Sequence, residues 1–148
     1  MNDFLQLEAK IVARLNEQLP DLQVYNTAGA MAAEESSMPY TALYVWFVDA
    51  VPGEAMPQHQ QQKVKQNWTV ELAVKNLFQV QSGEGARQEA GPLISKVLQA
   101  MIGWNPDPKR YIKPFQWVGS AHKIGYSPEG FIYFPMQFSI EFIFRVQE

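Results

Sequence analysis

Between Lys63 and Gly103 the spacing of apolar residues changes once, and the change marks a strand running into a helix. Trp68, Val70, Leu72 and Val74 alternate with Asn67, Thr69, Glu71 and Lys75, with Ala73 the one apolar exception on the second parity. Period two describes a strand with one buried and one wetter face. Turn residues Ser82, Gly83 and Gly85 follow. Ala86, Ala90, Leu93, Ile94, Val97 and Met101 then recur at three- and four-residue steps, opposite Arg87, Gln88, Lys96 and Gln99. That is an amphipathic helix laid back on the sheet. Pro92 lacks an N–H, so the pattern predicts the helix over 92–102, with Pro92 in its first turn and a separate or kinked turn over 85–90. Gly103 stands at the C′ position, and Pro106 and Pro108 keep the helix from resuming.

The same reading places a first helix over 3–18, capped by Asp3 or Asn2, with Phe4, Leu7, Ile11, Val12 and Leu15 on its inner stripe. Pro20 ends it, because the residue before a proline is pushed out of helical geometry. Leu22 to Tyr25 is a short strand and Asn26 to Met38 a connecting loop. Residues 40–49 are apolar on both parities, which fits a strand covered on both faces, and Asp49, Pro52 and Gly53 close it. The segment 53–66 carries Gln58, His59, Gln60, Gln61 and Gln62 and reads as too polar to bury, either a mobile loop or the tip of a long hairpin joining strands 40–49 and 64–78.

Beyond the second helix, a basic connection with Lys109, Arg110 and Lys113 leads to a strand starting at Phe115 and continuing to Tyr126. Ser127-Pro128-Glu129-Gly130 is a turn. The last strand spans 131–146, with Phe138, Ile140, Phe142, Phe144 and Val146 on one face and Gln137, Ser139, Glu141 and Arg145 on the other. Pro135, without a donor, belongs at an edge, a bulge or an unpaired beginning. The elements add up to an α+β domain over 1–148: a mainly antiparallel sheet of four or five strands with two principal helices packed on it, and a mobile loop at about 53–66.

Composition narrows the function classes. Apolar residues make up 47% and charged ones 18%, ordinary for a soluble globular chain. Cysteine is absent, which excludes disulfides and thiolate metal sites and points to a cytosolic folding environment. No apolar run approaches the roughly 20 residues of a membrane span, and no signal-peptide pattern opens the chain. A net charge of -3 argues against a nucleic-acid binder. The charge is unevenly placed: residues 1–60 hold eight acids and two bases, residues 61–148 ten bases and seven acids. Scatter over a solvated surface explains this. So does a head-to-tail assembly in which one face complements another.

Motifs for chemistry are lacking. His59 and His122 are the two histidines, too few for a zinc site without cysteine. Ser36 and Ser37 have no nucleophile-elbow glycines, and Gly83-Glu84-Gly85 lacks the lysine and third glycine of a phosphate loop. No catalytic, cofactor or metal residue is expected. The weak enzyme alternative is a small hydrolase using Glu34, Glu35 or Glu54. Four tryptophans, nine phenylalanines and six tyrosines fill a core, with some available for a subunit interface.

Taken in series, several features carry a resemblance: Leu19-Pro20 with Val24; Trp68-Thr69-Val70 leading through Gly83 and Gly85 to Ala100 and Ile102; Gly103-Trp104-Asn105-Pro106; and a Gly130 turn before Phe138 to Phe144. The pattern resembles the tail terminator (tail completion) proteins of long-tailed bacteriophages and prophages, especially their Mu-like group. It covers most of the chain, with the glutamine tract outside it. The resemblance implies a non-enzymatic, cofactor-free α+β protein of the virion tail, folded in the bacterial cytoplasm. It also implies assembly as a ring, typically a hexamer, that caps the tail tube, stops its polymerisation and presents the head-joining surface. Its partners would be further copies of itself, the tail tube protein and a head–neck connector, with neither specific nucleic acid nor membrane. Another neck or minor tail protein is the alternative. Lys109, Arg110 and Lys113 are the expected interface residues, and Gly103, Trp104 and Pro106 the structural ones.

Overall fold

A computed structural model describes residues 3–26, 39–57, 60–78, 82–120 and 122–146. The loop expected over 26–38 lies outside them except for Asn26, as do Glu34, Glu35, Ser36, Ser37 and His59. The described residues form helices α1 (Leu7–Gln18) and α2 (Glu84–Met101) and strands β1 (Gln23–Tyr25), β2 (Thr41–Ala55), β3 (Gln61–Lys75), β4 (Tyr111–Gly119), β5 (Gly125–Tyr126) and β6 (Phe131–Arg145). The sheet order is β1-β2-β3-β6-β4, with β5 also on β6. β1 runs parallel to β2 and every other pairing is antiparallel. The α+β class and the largely antiparallel sheet agree with the pattern of the chain, with six strands rather than four or five.

β3 is the central strand, and its even positions behave as their spacing requires. Trp68, Val70, Leu72 and Val74 are fully buried beneath the helices, beside Leu7, Ile11 and Leu15 of α1 and Ala90, Val97 and Met101 of α2. Opposite them on β6 lie Phe138, Met136, Phe134 and Ile132, all buried except the partly buried Phe134. The other face is drier than expected. Asn67, Thr69 and Ala73 are buried there, and Ala42, Tyr44, Ala73 and Phe131 form a second, smaller cluster with Tyr25, Trp46 and Tyr133 packed against it. Period two ranks the two faces of a strand but does not say how bulky the neighbouring strands' side chains are.

Besides α1, which begins at Leu7 rather than at residue 3 and has Gln6 instead of Asp3 or Asn2 at its N-cap, three boundaries differ from expectation. β2 does not stop at Asp49 but runs through Pro52 and Gly53 to Ala55, and β3 begins at Gln61, so the connection expected over 53–66 shrinks to 56–60. Pro52 is tolerated because β1 pairs only with residues 42–44, which leaves the outer side of β2 unpaired there among the described residues. Gln66, in the segment judged too polar to bury, is fully buried. Its amide donates to the Phe4 carbonyl at 2.7 Å and accepts from the Trp68 indole at 3.1 Å, which satisfies both ends.

The second boundary is α2, one helix of 18 residues with Pro92 inside it rather than two pieces meeting at Gly91. An internal proline costs about 3 kcal/mol. Ala86 and Ala90 before it and Val97, Ala100 and Met101 after it are all buried, so core packing on both sides offsets that cost. The third is the strand expected from Phe115 to Tyr126. It begins earlier, at Tyr111, ends at Gly119, and resumes only as the short β5. Pro135 sits mid-strand opposite Glu71 of β3, but on the other flank of β6 it falls between the reach of β4, ending at Gln137, and that of β5, ending at Tyr133. The missing N–H lies beside that break in pairing.

The helix ends are held by backbone rather than by helix-capping side chains. Asp3 Oδ1 accepts the Leu5 N–H at 2.9 Å, one turn ahead of α1. Gly83, at φ 69°, precedes α2, and a Cβ on Gly85 would stand 2.5 Å from both Asn76 Oδ1 and the Phe78 carbonyl oxygen, so only glycine fits there.

Candidate assembly interface

Beyond the helix-covered half of the sheet, β2, β3 and β6 continue together. Residues 48–55, 61–65 and 143–146 make a three-stranded arm, roughly 15 Å long at strand rise where all three strands run together. Its pairing is maintained to the tip, where the Met56 N–H donates to the Gln61 carbonyl and the Val146 N–H to the Gln60 carbonyl, at 2.8 and 2.9 Å. Its side chains are mostly exposed, including Val48, Val51, Phe144 and Val146. Pro52 and register shifts after Phe47 and after Pro52 interrupt the outer edge of β2, a pattern that discourages strand addition. The arm therefore presents its faces rather than its edge. On the face turned away from the helices stand Lys63, Lys65 and Arg145, the last opposite Gln61. Glu141 on the same face is shared with Lys113, Nζ to Oε2 4.0 Å.

β4 forms the opposite edge of the sheet and is also protected. The Gly103 N–H donates to the Phe115 carbonyl and the Phe115 N–H to the Trp104 carbonyl, both at 2.9 Å. Asn105 Nδ2 donates to the Tyr111 carbonyl at 3.1 Å. Gly103, at φ 82°, turns the chain from α2 into this seam, a geometry that favours glycine. The Trp104 ring stacks on Phe115 at 5.6 Å between centroids, with the Arg14 guanidinium 5.4 Å from its centroid, so its ring partners belong to β4 and α1. Pro106 lines a small hollow with Trp104, Lys10 and Arg14. β4 leaves Ile112, Trp117 and Val118 exposed.

Lys109, Arg110 and Lys113 have different local partners. Lys109 and Arg110 lie in the turn before β4, where the Asp107 carboxylate accepts the Lys109 backbone N–H at 3.2 Å and meets Arg110 Nε at 3.8 Å. Lys113 points to Glu141 on the sheet. Lys63 and Lys65 fell in the segment 53–66 read as a mobile loop or hairpin tip, while Arg145 was placed on the polar face of the last strand. The alternation of Lys63 and Lys65 on the parity of Asn67 was the available signal.

The described residues include no group of three or more His, Asp or Glu able to hold a metal. Glu54 is exposed near the end of β2 and His122 is exposed after β4. Among the described residues Glu71 is the one carboxyl with a large shift, its pKa pushed up to about 7 by burial. Burial, with Tyr25 and Glu71 nearby, pushes the Tyr44 phenol up to about 12 and keeps it neutral.

The described residues thus combine a projecting three-stranded arm with exposed apolar side chains on the arm and on β4. The family of phage tail terminator proteins matches residues 1–148. The chain belongs to that family. Its members are components of phage tails, which agrees with the resemblance carried by Trp68-Thr69-Val70 and Gly103-Trp104-Asn105-Pro106. No curated protein is similar enough to the chain to count as a match.

Proposed function

We propose that this terminator-family chain closes into a ring on the end of the tail tube, where it stops polymerisation and presents the surface that joins the head. The observation that carries this reading is the family match over every residue of the chain. The arm supports it, since a paired but exposed extension buries little within its own subunit and is suited to a neighbour. Heterologous contacts of that kind form rings when the rotation closes. The partners are then further copies of the chain, the tail tube protein and a head–neck connector, meeting in the host cytoplasm during assembly. The role is structural and needs no cofactor.

Tube protein polymerised with and without this protein provides the test, read by electron microscopy and light scattering. The expected result is shorter tubes carrying a ring at one end. Unchanged tube lengths with no protein at either end would overturn the reading, and binding to a purified connector but not to tubes would favour another neck protein.

A further inference from the structure

The outer side of α1 carries a groove of about 710 Å³, lined by Asp3, Leu5, Glu8, Ala9, Val12 and Ala13 among others. Among the described residues its charged ones are the two carboxylates, Asp3 and Glu8, and no base lines it. Its floor is apolar: Leu5 is exposed and Val12 half-buried. On the opposite side of the sheet, the arm presents Lys63, Lys65 and Arg145, all exposed, next to exposed Val51. Among the described residues the ion pairs are Arg110–Asp107 and Lys113–Glu141, so the arm's three bases are not engaged in one. Groove and basic face are thus complementary in charge, and each adds apolar side chains to its charges.

They cannot meet within one subunit. α1 packs on the face of the sheet that bears Trp68 and Val70, whereas Lys63 and Lys65 stand on the other parity of β3. Two complementary surfaces on opposite sides of one chain make a head-to-tail contact, the heterologous type from which closed rings are built. We propose that the basic face of the arm of one copy seats in the carboxylate-lined groove along α1 of the next copy. This rests on the ring assembly proposed above and supplies its contact. Desolvated charge pairs at such a contact set register and partner choice.

The test uses two charge-reversal variants of the full chain: Lys63→Glu with Lys65→Glu, and Glu8→Lys. Asp3 is left intact because its carboxylate accepts the Leu5 N–H. Wild-type protein is measured first by light scattering, alone and on tail tube ends. A wild type that forms no closed oligomer in either setting overturns the ring itself, before any variant is made. With a wild-type ring in hand, each variant alone is expected to remain monomeric. Mixed in equal amounts, they should assemble again, since the acidic arm of one meets the basic groove of the other and both unchanged surfaces also find partners. A full-size oligomer from either variant alone, or a mixture that stays dissociated, overturns the arm-to-groove contact while leaving the ring standing. Thermal melts accompany each sample, and the mixture decides the matter even if one variant melts lower, because recovery requires the two altered surfaces to touch.

Discussion

β3 and β6 are each 15 residues long, and each divides into two halves with different physical roles. In one half Trp68, Val70, Leu72 and Val74 face Phe138 and the helices and are fully buried. In the other, Lys63, Lys65, Phe144 and Arg145 continue the same hydrogen-bonded ladder into solvent. The ladder does not distinguish the halves; the side chains and the helix cover do. Stability resides where α1 and α2 lie on the sheet. The arm uses backbone pairing to hold its shape, with surfaces that the proposed contact would cover.

If that division holds, substitutions in the two halves should separate unfolding from assembly. The largest effect is expected at Trp68, where truncation to alanine should cost about 3–5 kcal/mol, the range for a buried aromatic. Denaturant melts would read it, and a loss below about 1 kcal/mol would place the core elsewhere. Trp104→Ala comes next. The ring is half-buried against Phe115 and Arg14, so about 2–3 kcal/mol is expected, less than for a fully buried tryptophan. A normal melt with lost assembly would instead assign Trp104 to an interface.

The third prediction concerns pH. Burial raises the Glu71 carboxyl from 4.5 to about 7 in the folded chain, so between those values the folded state holds a proton that the unfolded state has released. Stability contributed by Glu71 is therefore greatest below about pH 4.5 and declines as pH rises to about 7. Glu71→Gln should flatten that part of the pH profile and melt higher than wild type at pH 8. Identical profiles for the two proteins would remove Glu71 from the account. The smallest effect is expected in the arm: Val51→Ser, at an exposed position, should change stability by no more than about 0.5 kcal/mol. A loss as large as that at Trp104 would mean that the arm supports the fold of its own subunit.

Much of the architecture was legible from local pattern. The alternation around Trp68 and Phe138, the break at Pro20 and the turn at Gly130 depend on backbone geometry that a few neighbouring residues impose, and each element stands where they indicate. The proposed assembly surface was less legible. Lys109, Arg110 and Lys113 are close in sequence yet are divided between a turn and the sheet, because β4 begins at Tyr111. Lys63 and Lys65 were hidden in a glutamine-rich segment whose composition suggests a loop, although its neighbours β2 and β6 make it a strand.

What the sequence determined by itself is therefore the class of the fold, the central strand, the two amphipathic helices and the family. All of these follow from periodicity and from short motifs read within a few turns of chain. Tertiary structure alone decided that α2 continues through Pro92, that Gln66 is buried, that Pro135 sits beside a break in strand pairing, and that β2, β3 and β6 outrun their helices to form an arm. Each of these depends on what lies across the sheet or against the helix. Local propensities of about 1 kcal/mol or less per residue are readily outweighed by the packing and hydrogen bonds that distant residues supply.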